Sequence, residues 1–116
     1  MLIRIACKGR VRTATGIAPV EIRMFLPVST PGHRFEPQLI TDNWPVAYGH
    51  WTGFVHGELS WDGSTLEVDW SDDDLTSVDL RPQMPVHVGM TLTFHSNDYG
   101  AVSMKVEQLD EIDVGP

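Results

Sequence analysis

The chain has 116 residues, 41% of them hydrophobic and 21% charged, with eight Lys and Arg against sixteen Asp and Glu and a formal net charge of −8. That is one domain's length, enough for folding to bury roughly two-thirds of the surface the unfolded chain exposes, and too rich in large apolar side chains for disorder. The net charge argues against general affinity for nucleic acid or an anionic membrane, and no apolar run approaches the ~20 residues that a membrane-spanning helix needs.

The opening MLIRIACKGRVRTA alternates Ile3, Ile5 and Cys7 against polar neighbours, the period of a half-buried strand, with Gly9 as a bulge or bend. It lacks the long apolar centre and small-residue cleavage site of a signal peptide, so a cytoplasmic location is expected. Cys7 is the chain's single cysteine. It falls in the apolar phase, which predicts a buried, unreactive thiol. Arg10 and Arg12 fall in the polar phase of the same strand. Residues 1 to 36 carry a balance of +4 and the remaining 80 a balance of −12. Either the two ends pair electrostatically within the fold, or a basic strand is left facing a partner.

A second strand, PVEIRMFLP, alternates Val20, Ile22, Met24 and Leu26 against Glu21 and Arg23. The following PVSTPGHRFEP, with three prolines and a glycine, predicts a loop. Between residues 48 and 61, Trp51, Val55, Leu59 and Trp61 fit the core face, leaving Tyr48, His50, Thr52 and Phe54 as an outward row suited to recognition. His50 and His56 are six residues apart, about 20 Å on a strand, too far to share an ion.

In ELSWDGSTLEVDW the Asp62-Gly63 pair predicts a two-residue turn. Trp61 then lies opposite Ser64, Leu59 opposite Leu66, Gly57 opposite Val68 and Val55 opposite Trp70. On the other face Glu58 meets Glu67 and His56 meets Asp69. Such a group is either a solvated face, a contact surface, or a site for a hard divalent ion or a shared proton. The SDDDL that follows predicts a single helical turn capped by Ser71. Its acidity lacks the spacing of a calcium loop.

PVHVGMTLTFH places Val86, Val88, Met90, Leu92 and Phe94 on one face, and AVSMKVEQL continues with Val102, Met104 and Val106. A loop over Asn97, Asp98 and Tyr99, with Gly100 left-handed, pairs Phe94 with Val102, Leu92 with Met104 and Met90 with Val106. His87 and His95 then face solvent. Short alternating segments with turn chemistry between them predict an all-β fold over residues 1–116, a single antiparallel barrel or sandwich of about seven strands with at most one short helical turn.

Residues 20 to 41, VEIRMFLPVSTPGHRFEPQLIT, resemble the C-terminal β-barrel domain of elongation factor Tu, where a strand, a loop rich in Gly, His and Pro, and an R-P-Q-aromatic motif follow in that order. Here His33-Arg34-Phe35-Glu36-Pro37-Gln38-Leu39 carries two inserted residues and Leu39 in place of the aromatic, and Arg81-Pro82-Gln83-Met84 is a second match. The closing YGAVSMKVEQLDEI is similar in pattern to that domain's last strand. The resemblance covers about a third of the chain. It implies a closed antiparallel barrel used for docking, without catalytic residues; with no GTP-binding domain, no GTPase activity carries over.

No G-x-S-x-G elbow, phosphate-binding glycine loop or paired-cysteine zinc motif is present, so no catalytic residue is assigned and no cofactor is expected. Three functions follow. The first is a non-enzymatic β-barrel module docking on a protein partner through Tyr48, His50, Phe54, Arg10 and Arg12. The second is an acidic inhibitor or immunity-type protein masking a basic toxin or nuclease. The third is a metal-dependent enzyme or binder using His56, Glu58, Glu67 and Asp69. Nucleic acid and membrane are not expected partners; pairing of strand edges between copies is the route to a homo-oligomer.

Overall fold

The computed structural model describes residues 1–41, 44–50, 53–70, 75–97 and 99–112, with the backbone alone at 47–50 and 53–55. The alternation seen in the sequence becomes nine strands: β1 (Leu2–Thr13), β2 (Gly16–Ser29), β3 (Arg34–Phe35), β4 (Trp44–His50), β5 (Gly53–Trp61), β6 (Leu66–Trp70), β7 (Leu75–Val78), β8 (Thr91–Ser96) and β9 (Gly100–Ile112). Apart from the two-residue β3, each strand pairs antiparallel with its successor, and β9 returns to pair with β1. The circuit β1-β2-β4-β5-β6-β7-β8-β9 is thus a closed eight-stranded barrel, and β3 hangs on the end of β2. Closure removes the unpaired ladder groups that an open sheet exposes.

An eight-stranded barrel is just wide enough for side chains to fill its interior. Ile3, Ile5, Cys7, Met24, Leu26 and Leu59 turn inward and are buried. Gly57 serves the same packing by omission. It pairs with Trp70, whose ring lies where a side chain at 57 would go; a Cβ there would come within 2.7 Å of the ring and 2.8 Å of the Asp69 carbonyl oxygen. The indole N–H of Trp70 donates to the hydroxyl of buried Thr76 at 2.9 Å. Gly57→Ala is therefore expected to cost about 1–3 kcal/mol, the usual range for overpacking, read as a lower urea midpoint at unchanged slope. An unchanged midpoint would mean that the ring has room to move aside.

One end of the barrel is stoppered by two connections, residues 30–41 and 79–90. Phe35 donates its N–H to the Met84 carbonyl and accepts from Gln83 N–H, while Val86 N–H donates to the His33 carbonyl. The Phe35 side chain is fully buried and meets Trp61 edge-on, with ring centroids 6.5 Å apart. Glu36 binds both connections together by accepting from the Gln83 side chain at 2.7 Å, and hydrogen bonds from Gln38 first, then Gln83 and Ser29, hold its carboxyl below the usual range. The segment PVSTPGHRFEP is thus a tight hairpin rather than a loop: Val28 pairs with Phe35 and Ser29 with Arg34. Gly32 and His33 turn the chain with positive φ angles of 91° and 47°. The only helical piece among the described residues is the 3-10 turn Pro37–Leu39; the turn expected at Ser71 lies outside them.

Two other expectations change. The loop between β5 and β6 has four residues, not two. The Asp62 carboxylate accepts the backbone N–H groups of Ser64 at 2.8 Å and Thr65 at 2.7 Å, which lowers its pKa and holds both residues in the turn. The register therefore slips by two: Leu59 pairs with Val68, Gly57 with Trp70, Glu58 with Asp69 and Ser60 with Glu67. A slip of two leaves every residue on its face and changes only its neighbour. In PVHVGMTLTFH the strand starts only at Thr91, because Gly89 takes φ 94° in a turn, and Val88 points to solvent at 56% exposure. Beyond that turn the expected hairpin stands, with Phe94 paired to Val102, Leu92 to Met104, and Gly100 at φ 72°.

Candidate functional site

β1 and β2 are longer than the barrel they belong to. β1 pairs with β9 only as far as Lys8, and β2 pairs with β4 only from Val20. Past those points, among the described residues, the two strands pair only with each other, from Arg10 opposite Pro19 to Thr13 opposite Gly16. The molecule is 46 Å long and 27 by 25 Å across. The 14 residues of β2, at about 3.3 Å each, account for a length of that order. The chain thus extends a two-stranded ribbon, GRVRTATGIAP, from the end of the barrel opposite the stopper; on its inner face Val11 is buried and Ala18 packs against the core, and the tip beyond them stands free. Every residue from Arg12 to Ile17 is exposed.

The cations nearer the stopper are paired. Arg4 Nη2 lies 3.3 Å from Asp110, Arg23 Nε 2.6 Å from Glu21, and Lys8 Nζ 3.8 Å from the other oxygen of Glu21. The first and third join neighbouring strands and the second lies along β2; all are on the barrel's outer surface, the kind of pair that contributes little to stability. Arg10 and Arg12 are exposed and, among the described residues, neither meets a carboxylate. They share the ribbon's outer face with their cross-strand partners Pro19 and Ile17, and Ile17 is 65% exposed. Lys105 lies directly across from Lys8 on β9. Four cations therefore line the root and shaft of the ribbon, with Glu21 as the carboxylate among them.

The acidic side of the molecule is elsewhere. Around the circuit of eight, β6 is four strands from β1 in either direction, so it stands diametrically opposite. Its outward residues are Glu67 and Asp69, and Asp69 faces Glu58 of β5. The charge asymmetry of the sequence is in this respect a property of two opposite faces. The expected metal group is not assembled: the two-residue slip sets Glu67 across from Ser60, and β6 ends before any partner for His56. Among the described residues no three His, Cys, Asp or Glu side chains gather at one point.

The row Tyr48, His50 and Phe54 rested on one continuous strand. β4 and β5 are instead two antiparallel strands, in which Tyr48 pairs with Val55, His50 with Gly53 and Phe54 with Gly49; Phe54 takes the outward phase, whereas Tyr48 and His50 fall in the phase of the buried Ile22 and Val20 with which they pair. The side chains of these three lie outside the described residues. His50 also pairs with Val20, at the root of the ribbon.

Two other histidines are held locally. His33 Nε2 lies 2.8 Å from Glu111, and His95 Nε2 lies 3.0 Å from Asp79. Ser77 faces His95 across the sheet, yet among the described residues no hydrogen bond joins them, so Ser77, His95 and Asp79 do not form a relay. Cys7 is buried, and its thiol is pushed up to about 12 by burial first and the Glu21 carboxylate second, which removes it as a nucleophile.

Sequence reading alone singled out Arg10 and Arg12 but passed over Ile17 and Lys105. The signal was present: between Lys8 and Glu21 no carboxylate interrupts the chain. Comparison with protein-family models, with curated proteins and with solved structures finds no match to this chain.

Proposed function

We propose that this barrel is a non-enzymatic interaction module that docks on a protein partner through the β1–β2 ribbon. One observation carries the reading: Arg10, Arg12 and Ile17 share an outer face on a projecting element, the arginines without carboxylate partners among the described residues. Arginine and an exposed aliphatic side chain together supply the charge recognition and the apolar burial that contact surfaces combine. The β4–β5 hairpin belongs to the same proposal, since the pairing of His50 with Val20 sets it beside the ribbon's root; of Tyr48, His50 and Phe54, it is Phe54 that stands in the phase opposite the buried Val20 and Ile22.

The test is capture from native extract with the wild type and the Arg10→Glu/Arg12→Glu variant immobilised side by side. Both substitutions are on the exposed surface, so stability should change by about 0.5 kcal/mol or less. A specific protein held by the wild type should be retained at least tenfold less by the variant, and Ile17→Asp should weaken it independently. Equal retention by all three proteins rules the ribbon out as the docking element.

A second reading has its own observation. Glu58 stands directly across from Asp69 on an exposed face, an arrangement that is mildly unfavourable in the free protein and is relieved by a cationic partner, as in an acidic inhibitor of a basic protein. It requires that Glu58→Lys with Asp69→Lys, rather than the arginine pair, release the captured protein.

A further inference from the structure

We infer that the segment received by the ribbon is an extended acidic polypeptide with carboxylates at alternate positions, and that its affinity is highest at intermediate ionic strength. The inference rests on the docking role proposed above and adds the chemistry of the partner. Alternate residues on a strand lie about 6.6 Å apart on one face, so Lys8, Arg10 and Arg12 form an evenly spaced row along β1. An extended acidic segment repeats at the same interval. Its carboxylates at every second residue meet successive cations, and an apolar residue between or beside them covers Ile17. An acidic helix spaces residues i and i+4 by about 6 Å but turns each successive one by about 40° around its axis, so a third carboxylate swings away from a straight row.

The salt dependence comes from the two-sided charge of the barrel. The protein carries −8 overall, yet the face at the ribbon is cationic and the outward carboxylates Glu58, Glu67 and Asp69 stand on the far side of a barrel 25 to 27 Å across. At ~0.01 M salt the screening length is about 30 Å, so an approaching acidic segment feels the far carboxylates and the net repulsion. At ~0.1 M it is about 10 Å, and the segment feels the ribbon's cations alone. At ~1 M it is about 3 Å and the attraction itself is lost. For a cationic ligand on the β5–β6 face the net charge of −8 attracts as the near carboxylates do, so its affinity falls steadily from the lowest salt upward.

The probe is a ten-residue synthetic peptide alternating Asp with Ala and containing one Ile, titrated into 15N-labelled protein at ~0.01, ~0.1 and ~0.5 M NaCl with amide shifts as the readout. A peptide of the same composition with its Asp residues consecutive, a Lys-for-Asp peptide and a 12-nucleotide single strand serve as competitors. The expected result is tightest binding of the alternating peptide at ~0.1 M, at least threefold weaker at either extreme. Shifts should concentrate between Gly9 and Ala18, and Arg10→Glu/Arg12→Glu, checked for an unchanged melting temperature, should lose at least tenfold. Affinity that declines from the lowest salt, equal binding of the consecutive-Asp peptide, or preference for the oligonucleotide or the Lys peptide overturns it. These outcomes are separable from failure of the docking role. If the extract partner is released by Arg10→Glu/Arg12→Glu while the peptides fail, the ribbon docks but its partner is not an extended acidic segment.

Discussion

Phe35→Ala is expected to lower the unfolding free energy by about 3–5 kcal/mol, the cost of deleting a fully buried aromatic side chain whose surroundings cannot collapse into the space. Collapse is resisted here because the ring is fixed from several sides. Its backbone is bonded to Met84 and Gln83, its strand is paired to Val28, and Trp61 meets it edge-on. Domains of this size have only about 5–15 kcal/mol in total, and a loss of this magnitude corresponds to a fall of roughly 12–20 °C in melting temperature. Phe35→Leu, which keeps most of the volume, should cost well under half as much. Urea unfolding of the three proteins measures it. A loss under ~1 kcal/mol for the alanine variant would mean that the stopper is dispensable to the core.

The second large effect appears at alkaline pH. The Cys7 thiol titrates near 9.0 in the unfolded chain and near 12 in the barrel. Between those values the unfolded state releases a proton that the folded state keeps, so stability is fully present below pH 9 and falls as the pH rises toward 12. The slope approaches about 1.4 kcal/mol per pH unit. From pH 8 to pH 10 the wild type should therefore lose about 1.4 kcal/mol through this thiol alone. Cys7→Ala, though less stable at neutral pH because of the cavity it leaves, should lack that part of the decline. Parallel declines in the two proteins would assign the alkaline loss to other groups. The same burial predicts that thiol alkylation of the native protein proceeds only as fast as the barrel opens.

What could be read from the sequence divides by the range of the interactions involved. Alternation is local, and it gave the all-β class, the strands around Ile3, Ile22 and Leu92, and the inward place of Cys7. The β5–β6 hairpin was legible in its faces but not in its pairs, because the choice between a two- and a four-residue loop was made by the Asp62 side chain reaching Ser64 and Thr65. Trp51-Thr52 contains no Gly, Pro, Asn or Asp, so nothing in the sequence between His50 and Gly53 marked where β4 gives way to β5 and the parity of Tyr48 and His50 separates from that of Phe54. The stopper is wholly non-local: Phe35 is buried because Gln83 and Met84 come to meet it from nearly fifty residues away. The ribbon is the same kind of case. Arg10 and Arg12 were visible as charges, but that they project depends on where β9 and β4 cease to accompany β1 and β2, at Lys8 and Val20.

The pairing that closes the barrel, Leu2 against Ile112, also decides how the protein can be handled. The first and last strands meet side by side at the stoppered end, while the tip of the ribbon, eleven residues along β1, stands about 36 Å away. A tag, a fluorophore or a solid support attached at either end of the described chain leaves from the same pole, and the ribbon is held out toward solution. Joining the two ends by a short linker and opening the chain in the exposed Asp62–Ser64 loop should give a permuted protein with the same barrel.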